Sequence, residues 1–371
     1  MNGLACATTT YQVAVTTTTT AECKSTKTQP YLRIAYVSVH NEFHVGSSCA
    51  LVFAPDRDVA AITAALEHDA LVITSRAEFA AAVTMHRPVV AYVAVELLPQ
   101  VEEHRGKVAI VGVVDGALDD VLRTINEFPW LPHVVATALL KQPFAAAHLA
   151  LLHDRIGLGP EHQVLGDHAI GRVALLAHSA RREARFERLR EFFAEQKISK
   201  RTITTLNDVA EELVSNALYD APIEAGYFKA PVMRSTDVEL PPEHACEISY
   251  GVERGEAFVR IRDPFGSLTR ERIMGVLNRC NATDVPLDES RGGAGLGLWR
   301  VFSSVSMIAI TVIPGRLTDV VVWADAKRSR SHQLLAVHLF FPDDHLLDGI
   351  QSRFAADHDY DLMDDSFTAV I

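Results

Sequence analysis

From about Cys49 to Ile156 the chain alternates short runs rich in β-branched residues with runs of helical period. The strand-like runs are Ala50–Phe53, Ala70–Thr74, Val89–Val95, Val108–Val114 and His133–Leu139. Between and after them Val59–Glu67, Arg76–Thr84, Leu118–Glu127 and Ala145–Asp154 read as helices. Alternation of this kind leaves few folds open. Parallel strands need a long crossover, and a crossover helix buries its apolar stripe on the sheet, so helices wrap the strands. Residues 31–157 therefore read as a doubly wound parallel βα domain, with Leu32–Val39 as an extra strand. The Gln100–Lys107 connection has only a weak helical period.

A chain of 371 residues is long for one core, so two domains plus tails are expected. Residues 1–30 are Thr-rich, with a run at Thr16–Thr20, and read as a disordered leader. Gly157, Gly159, Pro160 and Gly166 mark a linker. An Arg- and Glu-rich helix over Ile170–Gln196 follows, so residues 158–184 are assigned as linker and helix. A second helix runs from about Lys200 to Tyr219. Ile223–Glu243 holds three prolines and reads as a loop. Cys246–Val252 and Ala257–Ile261 form a hairpin through Glu253-Arg254-Gly255-Glu256. Ile308–Ile313 and Val320–Ala324 form another through Pro314-Gly315-Arg316, and Leu335–Phe341 is a last strand. Residues 185–341 thus read as an α+β sandwich, and 342–371 as an acidic tail.

The formal charge of −12 argues against a nucleic-acid partner, which would require a basic face. It leaves room for a nucleotide, because backbone N–H groups and Mg²⁺ can hold phosphates. Five dispersed cysteines without a CxxC pair point to reduced thiols in the cytoplasm. No apolar run approaches the ~20 residues of a membrane span, and no signal peptide is legible.

Three short motifs carry chemistry. In Leu206–Tyr219, Glu212 and Asn216 lie one turn apart on one helix face. An Asn amide oxygen can ligate Mg²⁺ held by ATP phosphates, and a carboxylate one turn earlier can orient or deprotonate an attacking group. In Ile261-Arg-Asp263-Pro-Phe-Gly266-Ser267 a strand ends in an acid and a glycine turn. A buried carboxylate there can accept a hydrogen bond from the exocyclic amine of adenine. Arg291-Gly-Gly293-Ala-Gly295-Leu296-Gly297-Leu298 packs four glycines into six positions and runs into the helix-like Trp299–Ser306. Glycines let the backbone approach phosphates, and the helix N-terminus presents free N–H groups. The loop lacks the Lys-Ser/Thr of a P-loop, and no strand directly precedes it.

In that order, Glu212-Leu-Val-Ser-Asn216-Ala217, Asp263–Gly266 and Gly293-x-Gly295-Leu296-Gly297-Leu298 resemble the N, G1 and G2 boxes of GHKL (histidine-kinase-like) ATPases. Gly315-Arg-Leu-Thr318 resembles a weaker Gly/Thr feature of the same fold. The resemblance covers Arg185–Phe341. It implies ATP and Mg²⁺ as cofactors, Asn216 as Mg²⁺ ligand and Glu212 as base. Asp263 would read adenine, Gly293, Gly295 and Gly297 would form the phosphate loop, and Gly266, Leu296 and Thr318 would also bind the cofactor. Cys280–Arg291 would be the ATP lid. Phe265 and Ser267 stand where the family's G1 box carries glycines.

His178, within His178-Ser-Ala-Arg-Arg-Glu183 on a predicted helix, lacks the acid and proline of a histidine-kinase phosphoacceptor. The compact helix ahead of Glu212 is closer to anti-sigma-factor serine kinases. Residues 31–157 resemble a response-regulator receiver. Asp56 and Asp58 stand as its acidic pair and Lys141-Gln-Pro143-Phe144 as its Lys-Pro-Phe signature. Val95, beside Glu96, occupies the phosphoacceptor position. The resemblance implies a bacterial-type cytoplasmic signalling protein that phosphorylates Ser or Thr on a regulatory protein partner, with a homodimer as a further expectation. A non-catalytic ATP-dependent switch and a sensor histidine kinase are the alternatives.

Overall fold

A computed structural model of the 371-residue chain describes residues 50–66, 70–86, 88–116, 118–158, 165, 169–281, 296–327, 334–341 and 369–370. Among the described residues the architecture is mixed α/β, built on one sheet of 12 strands. Its first part is β1 (Ala50–Phe53), α1 (Asp56–Ala65), β2 (Ala70–Val72), α2 (Arg76–His86), β3 (Val90–Ala94), β4 (Ala109–Val114), α3 (Leu118–Glu127), β5 (His133–Ala136), α4 (Thr137–Leu140) and α5 (Ala145–Leu158). These five strands are parallel in the order β2-β1-β3-β4-β5, the flavodoxin-like order of a doubly wound sheet. The expected strands and helices are in place, and the weak Gln100–Lys107 connection contains 3₁₀ turns instead of a helix.

The second part begins with a correction. Ile170–Gln196 is not one helix: β6 (Ile170–Leu176) precedes α6 (Arg182–Glu195). The Ala and Leu content of β6 favours helix, but antiparallel pairing to the next strand overrides that preference. His178 lies in the extended link between them, bridged to Glu239, and not on a helix.

The chain continues through α7 (Lys200–Ser215), α8 (Ala221–Glu224), β7 (Cys246–Glu253), β8 (Glu256–Asp263), α9 (Arg270–Asn281), α10 (Leu296–Ser304), β9 (Met307–Ile313), β10 (Leu317–Asp325), β11 (Ala336–Phe340) and β12 (Ala369–Val370). Ser199 caps α7 by accepting from the Thr202 N–H at 3.1 Å. The β7–β8 hairpin turns through Arg254 and Gly255, both at positive φ (49° and 87°), as a two-residue hairpin turn demands. Helix α9 had no expectation behind it. Leu32–Val39, residues 1–30, most of the 158–169 linker and all of 342–371 except Ala369 and Val370 fall outside the described residues.

β11 joins the two parts. It pairs in parallel with β9 and antiparallel with β5, so the sheet runs unbroken from β12 to β2. Alternate residues along each strand feed opposite faces. Leu51, Phe53, Ile261 and Ile310 lie with Phe79, Phe186, Leu213, Leu277 and Phe302 of α2, α6, α7, α9 and α10. Val52, Phe258, Ala309 and Trp323 lie with Ile62, Leu139 and Leu149 of α1, α4 and α5 on the other face.

Candidate functional site

Helix α7 does not end at Ser215. It passes into a π-turn, Asn216–Asp220, in which the Ala221 N–H bonds to the Asn216 carbonyl. π-Turns of this kind concentrate at functional sites. Glu212, Asn216 and Asp220 are spaced by four, so all three side chains fall on one face. That face lines a cleft of about 690 Å³, part of it open to solvent. The same cleft is lined by Asp263 and Ile261 of β8, Ser267 and Leu268 after it, Val276 of α9, Leu298 of α10, and Thr318 and Val320 of β10. Four of the predicted site residues therefore meet: Glu212, Asn216, Asp263 and Thr318. The walls of the cleft combine apolar side chains with convergent polar and charged groups, Glu224 and Arg272 among them.

Asp263 is the last residue of β8 and directly opposite Thr318 in the β8–β10 register. It is buried, and burial pushes its carboxyl up to about 6, against hydrogen bonds from the Phe265 N–H, the Thr318 hydroxyl and the Gly266 N–H. Gly266 is at φ 57°, and a Cβ there would collide with the Ile313 carbonyl. Glycine is needed so that the turn after Asp263 can press on the β9–β10 turn. Phe265 does not wall the cleft. Its buried ring packs on His244 and Tyr227, with centroids 5.2 and 5.9 Å away.

Gly297, in the first turn of α10, rests on Glu212, whose carboxylate occupies the space a Cβ would need. The glycine motif and the Glu/Asn face of α7 are thus adjacent. Leu296 opens α10. Gly293, Gly295 and the expected lid, apart from Cys280 and Asn281 in α9, lie outside the described residues.

One residue was not foreseen. Arg234, from the proline-bearing loop, projects into this cluster. Its Nη2 donates to Asn216 Oδ1 and Asp220 Oδ2, both at 2.8 Å. Its Nη1 lies 3.2 Å from Glu212 Oε2. Burial opposes its charge, but the hydrogen bonds and charges of Glu212 and Asp220 outweigh that and raise its pKa. Nothing in the irregular loop sequence marks it. Asp220 was legible as the next step of the Glu212–Asn216 spacing.

This arrangement does not fit the expected Mg²⁺ at Asn216. The amide oxygen already accepts a hydrogen bond from a guanidinium, and Mg²⁺ requires near-octahedral oxygen ligands at ~2.0–2.1 Å. Among the described residues no group of three or more His, Cys, Asp and Glu side chains could hold a metal ion. The adenine assignment does fit. A buried carboxylate that lines the cleft can accept a hydrogen bond from an exocyclic amine there, beside those it takes from the Phe265 and Gly266 N–H groups and the Thr318 hydroxyl.

In the first part of the chain, Asp56 and Asp58 open α1 directly after β1, and Val95 follows β3. Arg57 makes ion pairs there, at 3.3 Å to Asp58 and 3.4 Å to Glu96. No described helix is long and apolar enough to cross a membrane. No protein-family model and no curated protein matches the sequence.

Proposed function

We propose that the chain is an adenine-nucleotide-binding signalling protein that works as a ligand-dependent switch for a protein partner. The GHKL resemblance of residues 185–341 and the receiver resemblance of 31–157 are part of this reading. The observation that carries it is the meeting of Asp263, Thr318, Asn216 and Glu212, from three separate elements, in one cleft. Asp263 accepts from the adenine amine, and Ile261, Leu268, Val276, Leu298 and Val320 supply the apolar walls. The first turn of α10, at the end of the glycine motif and beside Glu212, faces the phosphates in this reading.

A switch is favoured over a kinase because Glu212 is held by Arg234 and not directed at a reacting group. Phosphoryl transfer to Ser or Thr of a regulator is the second reading, favoured by the presence of Glu212 at the cleft wall. It requires Arg234 to release that carboxylate. The reading also keeps a cytoplasmic setting and homodimerisation as expectations. Calorimetric titration with ATP and GTP tests nucleotide binding, with ATP expected to bind well and GTP poorly. Incubation with γ-labelled ATP separates the two activities. The switch predicts neither hydrolysis nor an acid-stable phosphoprotein, and turnover abolished by Glu212→Ala would establish the kinase.

A further inference from the structure

The two ends of the sheet differ. At one end β2 is three residues long, and a short edge strand recruits other chains poorly. At the other end β6 is seven residues, Ile170-Gly-Arg-Val-Ala-Leu-Leu176, paired along its whole length with β7 on the inner side. Among the described residues its outer side pairs with β12, Ala369 opposite Val173 and Val370 opposite Arg172. A long edge offers N–H and C=O groups to any extended chain, and proteins usually blunt it with proline or with charge. β6 has no proline and a single charge, Arg172, whose guanidinium lies over the Phe192 ring of α6. Its apolar side chains Ile170 and Leu175 are 59% and 45% exposed. They are an odd number of residues apart, so they flank the edge on opposite faces of the sheet.

The antiparallel register says which sequence suits this edge. Counting on from Ala369 opposite Val173 sets Phe367 against Leu175 and Ile371 against Gly171. Phe367-Thr-Ala-Val-Ile371 is rich in β-favouring residues and free of charge and proline, and an aromatic opposite an aliphatic is a stabilising cross-strand pair. Residues 342–368 link β11 and Phe341 to Ala369. Fully extended, a link of that length spans about 90 Å. Six strand spacings separate β11 from β12, roughly 30 Å at ~4.8 Å each. The segment can therefore reach its own β6. A tether of this kind gives it an effective concentration on the order of millimolar, which favours it over a second copy at micromolar protein.

We propose that the outer edge of β6 is a strand-docking site and that Phe367–Ile371 of the same chain is its occupant, a displaceable cap held by main-chain pairing. Recognition of this kind takes its affinity from the backbone and its selectivity from alternate side chains, here Phe367 against Leu175. The cap keeps the edge from pairing with a second copy. β6 contributes no residue to the described lining of the cleft, so the inference stands apart from the nucleotide reading.

The test uses the full chain. Amide hydrogen exchange over residues 170–176 is followed in wild type and in a variant carrying both Ala369→Pro and Val370→Pro. Successive N–H groups of a strand point to opposite sides, so the double change removes the donor that faces β6. A labelled synthetic peptide of Asp364–Ile371 is titrated into both proteins, and their mass in solution is measured by light scattering. Wild type is expected to be a monomer, to protect the β6 amides that face away from β7, and to bind little peptide. The proline variant is expected to exchange those amides tenfold or more faster and to bind the peptide at least tenfold more tightly than wild type. Phe367→Asp, which keeps the ladder donors but sets a charge against Leu175, should fall between the two.

Equal exchange and equal peptide binding in wild type and the proline variant overturn the proposal. So does a scrambled peptide that binds the variant as well as the native one. A wild-type dimer whose β6 protection is lost on dilution also overturns it, because the segment then comes from a second copy. Fast exchange along the outer edge of β6 in wild type does so without any variant having to fold.

Discussion

Asp263 is the residue on which recognition turns. An acid held near pKa 6 is protonated more readily folded than unfolded, where its ordinary value is 3.8. Its stabilising contribution is full below pH 3.8 and is lost as pH rises through about 6. Above that, the buried carboxylate is ionised and can accept a further hydrogen bond from the cleft. An adenine amine prefers the ionised form, so ATP affinity should climb as pH rises through about 6 and level off above it. Calorimetry between pH 5 and 7.5 would show the slope, and a flat profile would remove Asp263 from the adenine contact. At neutral pH, Asp263→Ala should lose about 10–150-fold in ATP affinity, the equivalent of ~1.5–3 kcal/mol for a hydrogen bond to a charged group.

Two elements give the cleft its shape. The turn at the end of α7 keeps Glu212, Asn216 and Asp220 in line, and α10 closes against them through Gly297. Gly297→Ala should push the Glu212 carboxylate off its place beside Arg234. The expected result is a loss of about 1–3 kcal/mol of stability, the usual cost of overpacking, together with weaker nucleotide binding. Urea unfolding and titration of the same protein would read both, and an unchanged midpoint would show that Glu212 swings aside freely. On the other face of the sheet, Arg260 of β8 and Asp319 of β10 form a buried two-point ion pair at 2.9 and 2.6 Å. Burial works against the charge on Asp319, but Arg260 outweighs it and keeps the carboxyl below its usual range. Asp319→Ala removes this buried pair and should cost roughly 3–5 kcal/mol by urea unfolding. A loss under 1 kcal/mol would mean that water reaches Arg260.

At the scale of the whole molecule, the seam between β5 and β11 is reinforced from both sides of the sheet. On one side α5 lays His148 against His338 of β11, with Nε2 atoms 3.0 Å apart, and Arg155 against Thr311 of β9 at 2.9 Å. On the other, α3 packs on α9 and Arg270 donates to the Pro129 carbonyl at 3.1 Å. Burial pushes His148 down to about 4 and His338 well below its ordinary value. Both are neutral when folded, and the unfolded chain takes up their protons below pH 6.5. Stability from this pair is therefore full above pH 6.5 and lost as pH falls toward 4. Asp263 acts in the opposite sense between pH 3.8 and 6 and offsets part of the loss. His338→Leu should make the stability-against-pH slope shallower below pH 6.5, by up to ~1.4 kcal/mol per unit for one proton. Urea denaturation at several pH values would measure it, and an unchanged slope would show that the histidines are not the acid-sensitive groups of the seam.

The sequence by itself determined the elements with strong periodicity and local turn chemistry. The βα alternation, the Arg254-Gly255 hairpin and the Glu212–Asn216 spacing were all legible because each depends on residues within one or two turns of chain. Asp263 and Thr318 were legible as motif residues, but their cross-strand pairing was not. β6 was hidden, because a strand of helix-favouring residues is stabilised only by its neighbour. The sheet seam at β11 was hidden for the same reason, since hydrogen bonds between strands far apart in sequence leave no period. Arg234 depended most on tertiary structure. A single arginine in an irregular loop has no pattern, and only the fold brings it 18 residues back along the chain to Asn216. What the motifs suggested as a metal position thereby holds a guanidinium, because in the folded chain two carboxylates and an amide oxygen find their counter-charge in a side chain.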